Sequence, residues 1–308
     1  MRHPIVALLG ALAACLVVPR AQAQLMASER GTVSQTVDGT TVSVEYYRPR
    51  ARGRTGLFGT RIHWGEVWTP GANQATALTA SKDVTIDGHQ VPKGKYSVWM
   101  VVTPATWELV LDPDTSRFHT NRPKPRAGQV RFPLQREKRP FMEVLTWWFP
   151  EVSSTGMTLA MQWDTVYVPL RIGVPRSFTT AVTPAAAQRI VGRYQMRNQP
   201  MPAPPGAAEA AHGEERPPAE LILTIRYEGG ELRGVMDPPL FTTESGYKEW
   251  VLVPVKGDWY YLARVDGGEL VEVVDFAAAQ FDASTGRATG FELRARNDML
   301  IATGKRLP

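Results

Sequence analysis

The fold is decided by the segment VSQTVDGTTVSVEY, which spans residues 33–46. Apolar and polar residues alternate on both sides of Asp38-Gly39, a dipeptide that suits the two positive-φ positions of a tight turn. Val33 and Val37 lead into this turn, and Val42 follows it in the same rhythm. The segment therefore predicts a β-hairpin and a protein built from antiparallel strands.

Short strand patterns continue through the first half of the chain and are separated by turn residues. The candidate strands cover Ala75–Ala80, Val84–Ile86, Tyr96–Val102, Trp107–Leu111, Gln129–Leu134, Met142–Trp148, Met157–Trp163 and Val166–Ile172. None of them has helical periodicity. We therefore predict an all-β chain that opens with an antiparallel β-sandwich over residues 24–175.

A second module is predicted over residues 176–308. Thr183 and Pro184 suit the N-cap and first position of a short helix at Ala185–Ile190. Candidate strands follow at Leu221–Tyr227, Glu231–Met236, Trp250–Val255, Trp259–Val265, Glu269–Phe276, Ala288–Arg294 and Leu300–Lys305. They favour a smaller antiparallel β-barrel or sandwich. A Pro- and Ala-rich stretch at about 199–218 predicts a disordered loop within it.

The first 23 residues have the pattern of a secretory signal peptide. Arg2 precedes an apolar run, Ile5–Val18, and Ala21-Gln22-Ala23 forms a small-residue cleavage site. The run is too short to favour a membrane span, and we expect no transmembrane segment. The sequence thus predicts a periplasmic or secreted protein. In the alternative, Leu12–Cys15 acts as a lipobox and the protein is a lipoprotein anchored through Cys15.

The 308-residue chain has a formal net charge of +5, and the basic excess lies in the first module. Residues 24–180 contain 19 Lys and Arg against 13 Asp and Glu. A nucleic-acid site needs such charge on one face together with a recognition motif or stacking aromatics. We expect no nucleic-acid partner in an exported protein. Solvated loop arginines and contact with an anionic ligand or membrane headgroup remain open.

The sequence contains no complete motif of a known catalytic, metal or cofactor site, because its bare S-x-x-K match, Ser245–Lys248, has no companion motif. G-x-S-x-G, P-loop, H-E-x-x-H and C-x-x-C patterns are absent, and an all-β chain offers no βαβ context for a dinucleotide. We therefore predict no catalytic residues, no metal and no cofactor. The alternative is a hydrolase whose acid-base pair, His63 with Glu66 or Glu45, is assembled in space.

One stretch of the first module carries several short motifs in a fixed order. They are Val44-Glu45-Tyr46-Tyr47-Arg48-Pro49, Trp64-Gly65-Glu66-Val67-Trp68, Gly71-Ala72-Asn73-Gln74-Ala75-Thr76 and Pro92-Lys93-Gly94-Lys95-Tyr96-Ser97. This series closely resembles the signature of the bacterial domain-of-unknown-function family 2911, over about residues 31–172. The resemblance implies an exported β-sandwich with no assigned activity. It also implies an arginine directly after Trp68, where this chain has Thr69.

The second module resembles, more weakly, the small β-domains appended to exported serine hydrolases. The match is Gly192-Arg193-Tyr194, a G-x-Y strand after a short helix. It implies no activity.

The loop from Trp68 to Thr76 has the composition of a ligand site. Asn73 offers two donors and an acceptor, Trp68 offers a flat stacking face, and Arg48 and Arg54 are candidates for an anion- or sugar-binding rim. A structural role is the alternative: the asparagine bonds its own loop, the tryptophan fills the sandwich, and the arginines stack over aromatic rings.

These observations predict an exported cell-envelope protein that binds a sugar, an anionic ligand or another cell-wall component and catalyses nothing. The candidate ligand-binding residues are Arg48, Arg54, Trp68, Asn73 and Thr76. Besides the hydrolase, a structural partner of an envelope protein complex remains an alternative, which would show an exposed apolar patch.

Overall fold

The computed structural model describes residues 26–199, 218–239 and 248–308. The predicted signal peptide, Cys15 and all but the ends of the predicted 199–218 loop lie outside these residues. Within them, no helix is long and apolar enough to cross a membrane. The described chain is almost entirely β, as predicted from its strand patterns.

The first half of the chain contains eleven of the strands that the structure describes. Their bounds are β1 Glu29–Val37, β2 Thr40–Arg48, β3 Val67–Trp68, β4 Ala77–Ala80, β5 Val84–Ile86, β6 His89–Val91, β7 Gly94–Val102, β8 Trp107–Asp112, β9 Val130–Leu134, β10 Glu137–Ser153 and β11 Gly156–Gly173. One sheet has the order β1-β2-β4-β7-β8-β9, with β3 also paired to β7. The other has the order β10-β11-β5-β6.

The hairpin predicted at Asp38-Gly39 forms as β1 and β2. Both turn residues have positive φ, 45° and 65°, and Val37 pairs with Thr40 across the turn. This register turns Val42 and every second residue after it to the buried face. The hairpin thereby fixes which side of the first sheet faces the core.

The two sheets enclose one apolar cluster, which makes the first half a β-sandwich. The cluster takes Val98 and Met100 from the first sheet and Leu159 and Met161 from the second, all fully buried. Trp99 alternates to the opposite face of β7, where it forms a smaller cluster with Val110 and Ala75. The predicted sandwich is confirmed.

The structure joins two predicted strands into one. The predicted strands Met157–Trp163 and Val166–Ile172 are a single strand, β11. Asp164 has a φ of 55°, and its carboxylate accepts a hydrogen bond from the amide of Leu57 (2.7 Å). The strand continues past Asp164 because residues on both sides of it pair with β10, with a register shift on each side of the Asp164–Met142 pair.

The second half forms a closed eight-stranded antiparallel barrel preceded by one helix. The bounds are α1 Pro184–Ile190, β12 Gly192–Asn198, β13 Glu220–Glu228, β14 Glu231–Asp237, β15 Glu249–Lys256, β16 Trp259–Asp266, β17 Glu269–Asp282, β18 Gly290–Ala295 and β19 Leu300–Arg306. The strands pair in chain order, and β19 pairs with β12 to close the barrel. Of the two predicted architectures, barrel and sandwich, the barrel is confirmed.

Apolar side chains fill the interior of the barrel. The rings of Tyr194 and Phe291 meet at 5.6 Å, and Tyr260 contacts Phe281 at 5.8 Å. Burial raises the pKa of Tyr194 to about 12, and its hydroxyl donates to the carbonyl of Ile190 at the end of α1 (2.6 Å). The helix is therefore bonded directly to the packed core of an eight-stranded barrel.

Candidate functional site

The loop from Trp68 to Thr76 is closed by its own hydrogen bonds. The Thr69 hydroxyl donates to the carbonyl of Val98 (2.8 Å) and accepts a bond from the amide of Thr76 (3.0 Å). The hydroxyl of the fully buried Thr76 donates to the carbonyl of Pro70 (2.9 Å). These bonds use the polar atoms of Thr76, one of the predicted ligand-binding residues, inside the protein.

Trp68 lies in the core of the sandwich, with 9% of its surface exposed. Its ring is nearly parallel to that of Trp163, with centroids 6.1 Å apart, and it meets Phe58 edge to face at 5.3 Å. Such contacts stabilise buried aromatic clusters. This placement matches the structural role that the sequence analysis kept as an alternative.

Asn73 ties its loop to two other segments. Its backbone has a φ of 55°, which asparagine tolerates better than most residues. Its side-chain amide donates to the carbonyl of Ser28 (3.3 Å). Its own carbonyl accepts from the amide of His119 (2.8 Å), and the His119 Nδ1 lies 3.0 Å from the same oxygen. Asn73 thus connects its loop to the start of the sandwich and to the long loop after β8.

Arg48 and Arg54 contact different parts of the sandwich. The Arg48 guanidinium donates to the Thr146 hydroxyl on β10 (3.1 Å), whereas the Arg54 Nε donates to the carbonyl of Ala51 in its own loop (2.7 Å). Among the described residues, no hydrogen bond or ion pair joins either arginine to Asn73. The structure therefore shows no polar link between either arginine and the asparagine of the Trp68–Thr76 loop.

The proposed acid-base pair is not brought together. The Glu66 carboxylate accepts from the backbone amide of His63 (2.9 Å) and pairs with Arg122. Glu45 pairs with Arg30 on the neighbouring strand. In the part of the chain that the structure describes, no hydrogen bond reaches the exposed imidazole of His63. The geometry does not favour the hydrolase alternative.

A cleft of about 860 Å³ opens where the β5–β6 turn faces the β10–β11 hairpin. We call it the hairpin cleft. Its lining residues are Thr85, Asp87, Gly88, His89, Pro133, Gln135, Glu151, Val152, Ser153, Thr155, Gly156, Met157, Thr158, Arg171, Ile172 and Gly173. The volume lies within the range of small-molecule sites, which combine apolar walls with a few convergent polar groups.

Asp87 is the polar side chain of the hairpin cleft with the least usual environment. It occupies the first position of the Asp87-Gly88 turn, with a φ of 48°. Its Oδ1 accepts from the backbone amide of Arg171 (3.3 Å) and lies 3.6 Å from that residue's guanidinium. Its Oδ2 is buried and has no hydrogen-bond partner among the described residues. A buried carboxylate oxygen is normally paired, so this atom is an exception in the wall of the cleft.

The other polar groups of the cleft offer both donors and acceptors. The Glu151 Oε2 accepts from the Thr158 hydroxyl (2.9 Å), which leaves Oε1 for another donor. The Arg171 side chain is 65% exposed, and Gln135 is exposed beside it in the lining. No group of three or more His, Cys, Asp or Glu that could hold a metal occurs in the described ranges. The lining of the cleft therefore contains both hydrogen-bond donors and acceptors.

The elements that form the hairpin cleft can be predicted from the sequence, but the cleft itself cannot. Asp87-Gly88 has the composition of a tight turn, and Ile172 ends a predicted strand. Asp87 and Arg171 are 84 residues apart, and no spacing rule connects them. Only the pairing of β11 with β5 brings them together.

Comparison with protein families gives one match, to the family described as "Protein of unknown function (DUF2911)", over residues 28–172. These residues form a DUF2911 domain. The predicted family resemblance is thereby confirmed, and the match covers the whole sandwich except its outermost residues. Neither the curated proteins nor the solved structures gave a match to the chain.

The hairpin cleft belongs to the DUF2911 domain. Its lining runs from Thr85 to Gly173, which is one residue beyond the matched range. Thr69 stands where the resemblance implied an arginine, and its buried hydroxyl closes the loop instead.

The DUF2911 match ends before the barrel, so the resemblance to domains of serine hydrolases stays a prediction. The residues that carry it have structural contacts. Gly192 leaves space for the guanidinium of Arg306, which would lie within 2.1 Å of an added Cβ. The same guanidinium donates to the Tyr194 hydroxyl (2.7 Å).

Proposed function

We propose that this chain is an exported cell-envelope protein whose DUF2911 domain binds a small polar ligand in the hairpin cleft without catalysing a reaction. The observation that carries the proposal is the cleft of about 860 Å³, which is lined by the exposed Glu151 and by the Arg171 side chain, 65% of which is exposed. A concave site with a few accessible polar groups is the usual form of a small-molecule site. The Trp68–Thr76 loop, by contrast, already bonds its own polar atoms.

Binding is tested by a thermal-shift screen of the purified protein against cell-wall fragments, oligosaccharides, anionic lipids and divalent metals. A ligand at about 100 times its dissociation constant adds about 2.7 kcal/mol to the folded state. This is expected to raise the unfolding midpoint by several degrees.

The location is tested with Val152→Arg, which places a long side chain in the cleft from an exposed position. Val152 is 51% exposed, so the substitution removes little buried apolar surface. It should abolish the shift. The matched control is Val235→Arg on the barrel, where the valine is 42% exposed, and it should leave the shift unchanged. A shift that survives in Val152→Arg would place the ligand elsewhere, including at the Trp68–Thr76 loop.

Export is supported by the apolar run Ile5–Val18 and the cleavage pattern Ala21-Gln22-Ala23. Fractionation of the producing cells should recover the protein from the envelope or medium, with Gln24 as its first residue by mass spectrometry. A lipidated Cys15 at the N-terminus would establish the anchored alternative. Recovery from the cytoplasm with Met1 retained would contradict export.

A second candidate function, as a structural partner of an envelope complex, is favoured by apolar residues on the barrel surface. Phe276 and Val255 are 58% and 46% exposed and line one groove of about 280 Å³. Exposed apolar patches mark interaction surfaces. A photo-crosslinking residue in place of Phe276 should capture one defined envelope protein in intact cells, whereas the same residue in place of the exposed Glu228 should not. Equal capture from both positions would contradict this function.

A further inference from the structure

The charged and polar groups of the hairpin cleft indicate which class of ligand it binds. This inference rests on the proposed function. The Asp87 carboxylate lines the cleft with 17% of its side chain exposed, and among the described residues only the Arg171 amide donates a hydrogen bond to it. A ligand hydroxyl or amino group that donates to this carboxylate would form a charge-assisted hydrogen bond. We propose that the hairpin cleft binds a neutral or cationic saccharide, one of whose hydroxyl or amino groups donates to Asp87, and that it discriminates against anionic saccharides.

The charges around the cleft support this class. Two carboxylates, Asp87 and Glu151, and one guanidinium, Arg171, line it. The guanidinium is closest to Asp87, at 3.6 Å, whereas Glu151 has a hydroxyl partner, Thr158, and no cation among the described residues. A carboxylate on the ligand would therefore meet uncompensated negative charge, and like-charge contacts oppose binding.

The mixture of polar groups also fits hydroxyls. A sugar hydroxyl both donates and accepts, so it can pair with a carboxylate on one side and with an amide or guanidinium on the other. The exposed side chains of Gln135 and Arg171 supply the donors, and the carboxylates of Asp87 and Glu151 supply the acceptors. The exposed side chains of Val152 and Pro133 supply the apolar part of the lining, against which the C–H faces of a sugar ring can pack.

The experiment compares three trisaccharides of equal length by isothermal titration calorimetry. The trimer of N-acetylglucosamine is neutral, the trimer of glucosamine is cationic, and the trimer of galacturonate is anionic. We expect the first two to bind and the anionic trimer to bind at least about tenfold more weakly. In the unaltered protein, the amide resonance of Gly88 should shift on addition of the neutral trimer, because Gly88 adjoins Asp87 in the turn.

Asp87→Asn tests the donor directly. Asparagine suits the positive φ of this turn and keeps one acceptor for the Arg171 amide, so the substitution changes the charge with little change in the fold. We expect the neutral trimer to bind at least about tenfold more weakly. The matched control is Asp298→Asn, at another positive-φ aspartate (65°) on the barrel, and it should leave the affinity unchanged.

The outcomes separate this inference from the proposed function. Equal affinity of Asp87→Asn and the unaltered protein, or tighter binding of the anionic trimer, would overturn the inference even if Val152→Arg blocks binding. If none of the three trimers binds, while another ligand binds and is blocked by Val152→Arg, the saccharide class is overturned and the proposed function stands. If no compound in the thermal-shift screen binds, both are overturned.

Discussion

The Trp68–Thr76 loop and the hairpin cleft are both rich in polar side chains, but they differ in where the hydrogen bonds of those side chains end. In the loop, Thr69 and Thr76 bond to carbonyls and amides of the protein. In the cleft, the Arg171 side chain is 65% exposed, and Glu151 Oε1 has no hydrogen bond among the described residues. A distinctive sequence pattern can therefore record the demands of packing, whereas the polar groups that stay accessible lie elsewhere in the domain.

The largest expected effect is on the stability of the loop. Trp68→Ala removes a buried ring that contacts Trp163 and Phe58, and we expect it to lower the free energy of unfolding by about 3–5 kcal/mol. The matched control is Trp64→Ala, because Trp64 is 44% exposed and its loss should cost less than about 1 kcal/mol. Urea unfolding measures both.

A small effect of Trp68→Ala on the free energy of unfolding would contradict a structural role for the loop. If that variant kept its stability and lost the ligand found in the thermal-shift screen, the loop would be a binding site, as its composition predicted. The structural role requires the opposite pattern, with lost stability and a ligand affinity that is retained in the folded fraction.

Acid should lower the stability of the protein through Asp112, which anchors the long loop after β8 that contacts Asn73. Burial alone raises the pKa of Asp112, but hydrogen bonds from Arg126, Gln129 and the Asp114 amide outweigh it and lower the pKa to about 2. Because the folded pKa lies below the unfolded value of about 4, the carboxylate stabilises the protein above pH 4, by about 2 kcal/mol. This stability should be lost as the pH falls from about 4 to 2.

Urea unfolding between pH 2 and pH 6 measures this dependence. Asp112→Asn removes the titrating group, so its stability should change less over the same window than that of the unaltered protein. Parallel curves for the two proteins would show that the pairing of the buried Asp112 with Arg126 does not stabilise the fold.

Much of the fold could be predicted because its signals are local. The Asp38-Gly39 turn sets the register of β1 and β2, and Val84–Ile86 has the bounds that the sequence predicts. Long-range strand pairing explains the differences. β11 continues through Asp164 because residues on both sides of it pair with β10. β17 extends to Asp282, past a bulge at residues 275–277, because its second part pairs with β16 and β18.

The site could be predicted less well, because binding depends on which atoms have no partner. The sequence shows that Asn73 and Thr76 carry polar groups, but not that Ser28 and Pro70 accept their hydrogen bonds. It equally shows an Asp-Gly turn at residue 87 but not the burial of one carboxylate oxygen. Both facts arise from contacts between distant segments.

A smaller effect is expected for Asn73, whose substitution separates the two roles of the loop. Asn73→Ala loses the 3.3 Å bond to Ser28 and places alanine at a φ of 55°, so we expect a loss of about 1 kcal/mol in stability. Asn73→Gly should cost less, because glycine adopts this backbone freely. Both variants should bind the ligand of the hairpin cleft as the unaltered protein does. A loss of affinity without a loss of stability would favour the loop as the site.

The smallest expected effect on stability belongs to the cleft itself. Glu151→Gln keeps an oxygen that accepts from Thr158, and the residue is exposed, so the free energy of unfolding should change by less than about 0.5 kcal/mol. The neutral trimer should nevertheless bind more weakly, because a charged acceptor becomes a neutral one. Glu228→Gln, at an exposed position on the barrel, should change neither quantity. Calorimetric titration and urea unfolding of the two variants measure both quantities. Weaker binding by Glu151→Gln at unchanged stability would separate the cleft from the Trp68–Thr76 loop, whose residues stabilise the fold. A loss of stability in Glu151→Gln would show that the cleft also serves the fold.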